Sequence, residues 1–221
     1  MNVTYYSFPP FSVQPGKITV IDTGSQRVYR ELTAGVQGKA DTVKVSDDNF
    51  ASVPAKRGAQ WFGDPMLTLD LNELFQRKLQ TKLVKLLADD QTVKLADGLR
   101  ELLSQMLADS YLMDVPMELP TMPEIAKLVK FSGIQLAPDI QENPYGIIET
   151  LVKVLLELHD QHMIVLTNVS HYLQVSQLGM LVRFMANVDL PFLLIEFSAT
   201  RRKDYFKECD YHYIDSDFVL W

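Results

Sequence analysis

The residues of this chain whose spacing suggests chemistry are lysines on two stretches with helical periodicity. On the first stretch they recur at positions i, i+4 and i+7, which places Lys78, Lys82 and Lys85 in one row on a helix. On the second stretch Lys127 and Lys130 are three residues apart. Such rows suit successive phosphates of a nucleic acid backbone, which favour lysine without any sequence being read. An ordinary solvated helix face is the alternative, and spacing alone favours it.

Carboxylates flank a proline-rich connection in the middle of the chain. Asp114, Glu118 and Glu124 lie in and around Val115–Pro123, and carboxylates with free backbone carbonyls are the ligands that a hard cation such as calcium prefers. The segment does not match the aspartate-rich loop of an EF-hand, and a solvated acidic loop is the alternative. These three residues are the candidate metal ligands.

No group of residues predicts catalysis. After the strand Ile18–Ile21 the chain reads Asp22-Thr-Gly-Ser-Gln26, with one glycine and no lysine, so it does not match the glycine-rich, lysine-containing loop that cradles phosphates. The strand Met163–Thr167 ends in the neutral Asn168, where a nucleotide hydrolase needs a carboxylate to hold magnesium. The four histidines and Cys209 show no spacing that singles out a triad or a metal site. The sequence therefore predicts no catalytic residue and no bound nucleotide.

Two kinds of element must position these side chains. Apolar residues at three- to four-residue spacing, first in Leu71–Leu86 and then in Leu95–Met106, predict two amphipathic helices. Continuous apolar runs at Met163–Thr167 and Pro191–Phe197, linked by a helix at about Ser176–Ala186, predict parallel strands covered on both faces. The predicted fold class is therefore α/β. A head built from both chain ends, residues 1–66 and 160–221, is interrupted by an inserted α-helical domain, residues 67–159.

The charge balance is acidic but uneven. The 221 residues carry a formal net charge of −7, which argues against a uniformly basic nucleic-acid binder and leaves room for a local basic field. Leu74–Lys85 contains no acid, and Arg201–Lys203 is a third basic patch just past a predicted strand. No apolar run approaches the ~18 residues of a membrane span, and the start of the chain lacks the basic region of a secretory signal. We expect a cytoplasmic protein without a membrane partner.

Several segments, taken in chain order, resemble the Csn-two family, the accessory spacer-acquisition proteins of type II-A CRISPR-Cas systems. The resemblance is carried by the sequence EIAKLVKFSGI at Glu124–Ile134 and by HMIVLTNVSHYL at His162–Leu173. The N-terminal strand after the turn at Pro15, the apolar strand at Phe192–Glu196 and the closing run at Tyr211–Val219 fit the same pattern.

The resemblance implies a degenerate nucleotide-hydrolase-like head with a helical leg. It implies a non-catalytic homotetrameric ring that loads linear double-stranded DNA from its ends, often with calcium. The implied partners are the CRISPR integrase proteins and the RNA-guided effector nuclease. Lys130 falls on the family's basic position before a glycine, with Lys127 one turn earlier. Of the family's carboxylate-rich stretch only Glu118 remains, with Asp114 and Glu124 at its margins.

Two alternatives stay open at this point. One is a protein-interaction subunit whose helical domain docks a partner and does not touch DNA. The other is a nucleotide-dependent enzyme with a non-standard phosphate loop.

Overall fold

The computed structural model describes residues 1–6, 8–87, 89–118, 125–137 and 143–221. The chain divides into two compact units. The head unit comprises Met1–Leu69 together with Asp139–Trp221, and the helical unit comprises Asp70–Pro138. Within the described ranges, no helix combines the length and the apolarity needed to cross a membrane.

A five-stranded parallel sheet forms the centre of the head unit. Its strands are β3 (Ile18–Thr23), β6 (Ala59–Gly63), β7 (Met163–Thr167), β8 (Phe192–Phe197) and β9 (Asp210–Ile214), arranged in the order β6-β7-β8-β3-β9. Every residue of β3 and β7 is buried, as continuous β-branched and aliphatic runs require in a sheet covered on both faces. The connections from β3 to β6, from β6 to β7 and from β7 to β8 contain helices, which confirms the predicted α/β class.

Three helices of the head unit have apolar faces that are buried. Helix α1 (Gln26–Val36) starts at Ser25, whose side chain accepts a hydrogen bond from the Val28 amide, so the helix begins directly after β3. Helix α6 (Pro144–Glu157) starts at the cap residue Asn143 with proline in its first turn. It buries six aliphatic residues and packs against α7 (Val175–Met185).

A second, antiparallel sheet was not anticipated from the sequence. It has the order β2-β1-β4-β5 and consists of β1 (Asn2–Tyr5), β2 (Phe11–Ser12), β4 (Val43–Ser46) and β5 (Ser52–Val53). A short helix, α2 (Ala55–Gly58), follows it. Buried residues of α1 and of both sheets belong to one hydrophobic core, so this small sheet is part of the head unit and not an appendage.

The helical unit contains α3 (Leu71–Leu86), α4 (Asp89–Ser110) and α5 (Ile125–Phe131). Asp70 caps α3 by accepting hydrogen bonds from the amides of Asn72 and Glu73 at 2.9 and 3.0 Å. Leu71 and Phe75 are the buried residues of α3, whereas α4 has no buried residue among the described positions of its 22-residue length.

The observed division of the chain differs from the expected one at its second boundary. The sequence pattern placed the end of the insert at residue 159, whereas α6 belongs to the head unit and the helical unit ends at Pro138. The reason is that α6 is apolar almost all round and is buried with the sheet unit. A helix of that composition cannot belong to a small, largely exposed helical unit.

Candidate functional site

The predicted basic rows lie on α3 and α5 of the helical unit. Lys78, Lys85, Lys127 and Lys130 are exposed, whereas Lys82 is half-buried. The Lys78 ammonium lies 5.7 Å from the centre of the Phe75 ring, which is a cation–π contact. Each of these lysines except Lys82 is therefore accessible to an anion in the helical unit as described.

An open groove of about 340 Å³ separates α3 from α5. Arg77 lies on its α3 side and Lys130 on its α5 side, with Gln80, Thr81, Val84 and Ala126 completing the walls. The structure thus brings Lys130 together with Arg77, a residue that the spacing argument passed over. We call this the α3–α5 groove.

The row of Lys78, Lys82 and Lys85 occupies a different face of α3. Successive residues of an α-helix are rotated by about 100° around its axis. These lysines therefore lie on the same face of α3 as Leu71 and Phe75, and this face is rotated by about 110° from the face of the groove residues. The lysines of α3 and Lys130 therefore do not share one surface patch. The overlooked signal was helical periodicity. Arg77 lies on the same face of α3 as Gln80, Thr81 and Val84, and this face lines the groove.

Side-chain amides hold the groove together. The Asn72 amide exchanges two hydrogen bonds with the backbone of Leu136, at 3.2 and 2.8 Å. Gln76 and Gln80 both donate to the carbonyl of Ile134, at 3.4 and 2.9 Å. The segment after α5 is thus attached to one face of α3, and this fixes how α5 presents Lys130.

The candidate calcium ligands are only partly covered by the described residues. Asp114 and Glu118 are exposed, and Glu124 lies outside the described residues. In the part of the chain that the structure describes, no three His, Cys, Asp or Glu side chains come together in a way that could hold a metal ion. The calcium site stays a prediction.

A second concentration of charge lies at the carboxyl end of the parallel sheet in the head unit. Asp22 and Glu196 are register partners on β3 and β8, and both are 0% exposed. The Arg202 guanidinium bonds to both, at 3.2 Å to each Asp22 oxygen and 3.3 Å to Glu196 Oε2. We call these three residues the carboxylate cluster.

Hydroxyl groups complete the carboxylate cluster. Ser170 donates to Glu196 Oε2 at 2.6 Å and also contacts Arg202 Nη1, while Tyr211 donates to Asp22 Oδ2 at 2.9 Å. Two carboxylates face one guanidinium, so the cluster holds one more acid than base. Burial raises the pKa of Asp22 and of Glu196, and their hydrogen bonds and Arg202 oppose that rise.

The basic patch expected at Arg201–Lys203 is therefore divided. Arg202 has only 21% of its side chain exposed and is committed to the carboxylate cluster, whereas Arg201 and Lys203 stay exposed. The sequence signal for this was Glu196, an acid within an otherwise apolar strand. The rest of the cluster cannot be predicted from spacing, because Asp22 and Arg202 are 180 positions apart in the sequence.

The same end of the sheet is where nucleotides bind in open α/β folds. Besides the carboxylate cluster it carries Asp64 just after β6, which accepts a hydrogen bond from Tyr172 at 3.1 Å. Carboxylates repel phosphate, and the arginine of the cluster is already neutralised. Burial also raises the pKa of the Cys209 thiol to about 12, which disfavours the thiolate that a nucleophile needs.

Comparison with known proteins gives a likeness of fold. No protein-family model matches the chain, and no curated protein matches its sequence. The structure is similar to that of Stu0660 of Streptococcus thermophilus, with a TM-score of 0.50 and 14% identity over 97% of this chain and 74% of that one. A nucleotide-free ATP-binding cassette of an ABC transporter aligns at a TM-score of 0.43 and 14% identity, over 97% and 84% of the two chains. At these identities the first likeness shows the fold alone, and the second carries no argument.

Proposed function

We propose that this protein binds linear double-stranded DNA through its phosphate backbone, without catalysis, as an accessory protein of CRISPR spacer acquisition. The observation that carries the proposal is the α3–α5 groove, where Arg77 and Lys130 face each other across an open cleft. Neither side chain has an ion pair within the described residues. Unpaired cations on two walls of a groove are suited to phosphates and carry no information on base sequence.

The CRISPR role rests on the sequence, which resembles the type II-A accessory family in segments spread along the chain. The likeness to Stu0660 of Streptococcus thermophilus adds a similar fold over 97% of the chain. On this proposal the partners are double-stranded DNA, the CRISPR integrase proteins and the RNA-guided effector nuclease.

A non-catalytic role is supported by the carboxyl end of the parallel sheet. The loop Asp22–Gln26 after β3 has one glycine and no lysine to hold phosphates, and the buried Asp22 and Glu196 are already bonded to Arg202 and so are not open to magnesium. We therefore expect no release of phosphate from ATP or GTP in the presence of magnesium. Turnover that disappears when Asp22 and Asn168 are replaced by alanine would show instead that this end of the sheet is an active site.

The homotetrameric ring of this proposal needs a surface for self-association, and the exposed apolar residues of the helical unit are suited to that role. On α4, Leu95, Leu102 and Met106 are 41%, 60% and 69% exposed at the spacing of a coiled-coil seam. Exposed apolar side chains along one helix face are typical of an interaction site, and we assign this face to copies of the same chain. A ring repeats each groove once per subunit, so a few cations per chain neutralise many phosphates.

The proposal is tested by charge reversal in the helical unit. The double variant Lys127→Glu/Lys130→Glu should fail to retain a linear duplex while its melting temperature and oligomer size stay unchanged. Lys203→Glu/Lys207→Glu is the matched control, because both lysines are exposed, lie in the head unit and give the same change in charge. Wild-type affinity of the first variant for linear duplex would overturn the assignment.

Threading is tested with one plasmid in two forms. A ring that loads from DNA ends should bind the plasmid cut once far more tightly than the closed circle. Equal binding of both forms would place the duplex on an outer surface. Failure of the wild type to bind either form, together with capture of a protein through α4, would favour the protein-interaction subunit.

A further inference from the structure

The head unit has a basic groove that the proposed duplex-binding surface does not include. An open cavity of about 510 Å³ lies along β4 and β5, and Lys39, Lys44, Val53 and Pro54 are among its lining residues. We call it the head groove. Val43 and Val45, which are 6% and 2% exposed, belong to its inner wall, and charged side chains lie along its open side.

Three exposed lysines surround the head groove. Lys39 and Lys44 line it directly. The side chain of Lys56 runs alongside, with its Cγ 3.3 Å from the position a Cβ would take on Gly38. Asp41 is the acid among the lining residues. None of the three lysines has an ion pair with another described residue, so the local field is positive although the chain is acidic.

A second open cavity, of about 410 Å³, adjoins the head groove. Asp41 and Lys44 line both cavities, and the second also contacts Thr4, Thr42 and Tyr6. Tyr6 is 57% exposed and has a backbone φ of 46°, in the left-handed region that a bulky side chain rarely adopts. The rings of Tyr6 and Tyr5 form a T-shaped pair with their centroids 5.2 Å apart, while the turn leaves the Tyr6 ring largely in solvent.

We propose that the head groove binds single-stranded nucleic acid. The lysines take the phosphates, and the exposed Tyr6 ring provides a stacking platform for a base. A positively charged groove with an exposed aromatic ring is the combination by which proteins hold unpaired strands without sequence preference. An acidic peptide also suits lysines, but it gains nothing from an exposed ring at the end of the groove.

The proposal does not depend on the α3–α5 groove, because the two surfaces share no residue. The test therefore uses a labelled 20-nucleotide oligo(dT) and the Lys127→Glu/Lys130→Glu background alongside the wild type. In that background the head groove should still bind the oligonucleotide. If the proposed duplex-binding function fails, the background simply behaves as wild type and the test of the head groove is unaffected.

Two variants probe the head groove by fluorescence anisotropy. Lys39→Gln/Lys44→Gln/Lys56→Gln should reduce the slope of log affinity against log salt by about 2, at about 0.7 for each phosphate that is no longer neutralised. Tyr6→Ala should weaken binding about tenfold by removing one stacked base, whereas Tyr6→Phe should bind as wild type does. Lys203→Gln/Lys207→Gln, which removes two charges elsewhere on the head unit, is the control for bulk charge, and its loss is compared per charge removed. Circular dichroism melts of every variant verify that the head unit is folded.

Three outcomes overturn the proposal. The first is that the triple lysine variant binds oligo(dT) with an unchanged salt slope. The second is that the Lys203/Lys207 control loses as much affinity per charge as the triple variant, which would show that only the total charge matters. Competition by polyglutamate as strong as that by unlabelled oligo(dT), together with no effect of Tyr6→Ala, would identify an acidic peptide as the ligand.

Discussion

The carboxylate cluster of the head unit and the α3–α5 groove of the helical unit both concentrate charge, but they differ in what neutralises it. In the cluster, Arg202 faces two fully buried acids, and the hydroxyl groups of Ser170 and Tyr211 donate further hydrogen bonds to them. In the groove, Arg77 and Lys130 face an open cleft. Charge that is neutralised within the fold fixes structure, whereas charge left in a cleft is available to a partner.

The comparison also explains why the carboxyl end of the parallel sheet, where nucleotides bind in other α/β folds, is poorly suited to bind a phosphate here. The guanidinium of Arg202 already pairs with two acids, Asp22 on β3 and Glu196 on β8. A phosphate would have to displace a carboxylate from Arg202 and then lie against the other. A change of charge should therefore lower stability in the carboxylate cluster and weaken DNA binding in the α3–α5 groove.

The largest effect is expected from Arg202→Ala. This change leaves two buried carboxylates without a cation and should lower the free energy of unfolding by about 3–5 kcal/mol. Chemical denaturation measures it. Arg201→Ala is the matched control, since Arg201 is exposed and contacts the Trp221 ring at 5.9 Å, and its effect should stay within about 0.5 kcal/mol. Equal, small effects of both changes would show that the cluster contributes nothing to stability.

The excess acid of the cluster gives a pH dependence of known sign. Because burial raises the pKa of Glu196, the native state keeps a proton that the unfolded chain releases above about pH 4.5. Stability of the wild type should therefore fall as pH rises from there through the native pKa, by up to about 1.4 kcal/mol per pH unit. Glu196→Gln, which cannot ionise, should gain stability relative to wild type over the same window. A difference that is constant with pH would contradict the raised pKa.

Features that depend on neighbouring residues in the sequence could be predicted, whereas features that depend on distant residues could not. The strands β7 and β8 and the helix α7 between them are visible as local apolar runs, and the structure has them where the pattern places them. The antiparallel sheet was missed because two of its strands are only two residues long. No periodicity is readable over so short a stretch.

The candidate sites show the same limit. Lys130 could be selected because it is three residues from Lys127, but its partner across the groove lies far away in the sequence, on another helix. Spacing within α3 favoured Lys78, Lys82 and Lys85, whereas the contacts with α5 select Arg77. Likewise Glu196 stands out within its strand, and neither Asp22 nor Arg202 can be assigned to it without the sheet.

In the α3–α5 groove the effect of a charge change should appear in binding and not in stability. Arg77→Glu should weaken duplex retention and lower the salt slope by about 1, as expected when one phosphate fewer is neutralised. Its free energy of unfolding should change by less than about 0.5 kcal/mol, because Arg77 is exposed. Lys94→Glu on α4 is the control for charge within the same unit. If the control weakens binding equally, the groove has no special part in it.

The smallest expected effect separates the shape of the groove from its charge. Gln80 carries no charge, lines the groove, and donates to the Ile134 carbonyl at 2.9 Å. Gln80→Ala removes this attachment and should cost about 0.5–1 kcal/mol of stability, the net contribution of one partly exposed hydrogen bond. Gln105→Ala, an exposed position on α4, is the control for helix propensity.

Duplex binding gives the more informative measurement on Gln80→Ala. If α5 must be fixed against α3 for Lys130 and Arg77 to meet successive phosphates, affinity should fall by a factor smaller than for Arg77→Glu. The salt slope should stay the same, because no cation has been removed. An unchanged affinity with the expected decrease in stability would mean that the cations act independently of each other. A reduced salt slope would mean that loosening α5 takes Lys130 away from the DNA, which assigns Gln80 the role of positioning that lysine.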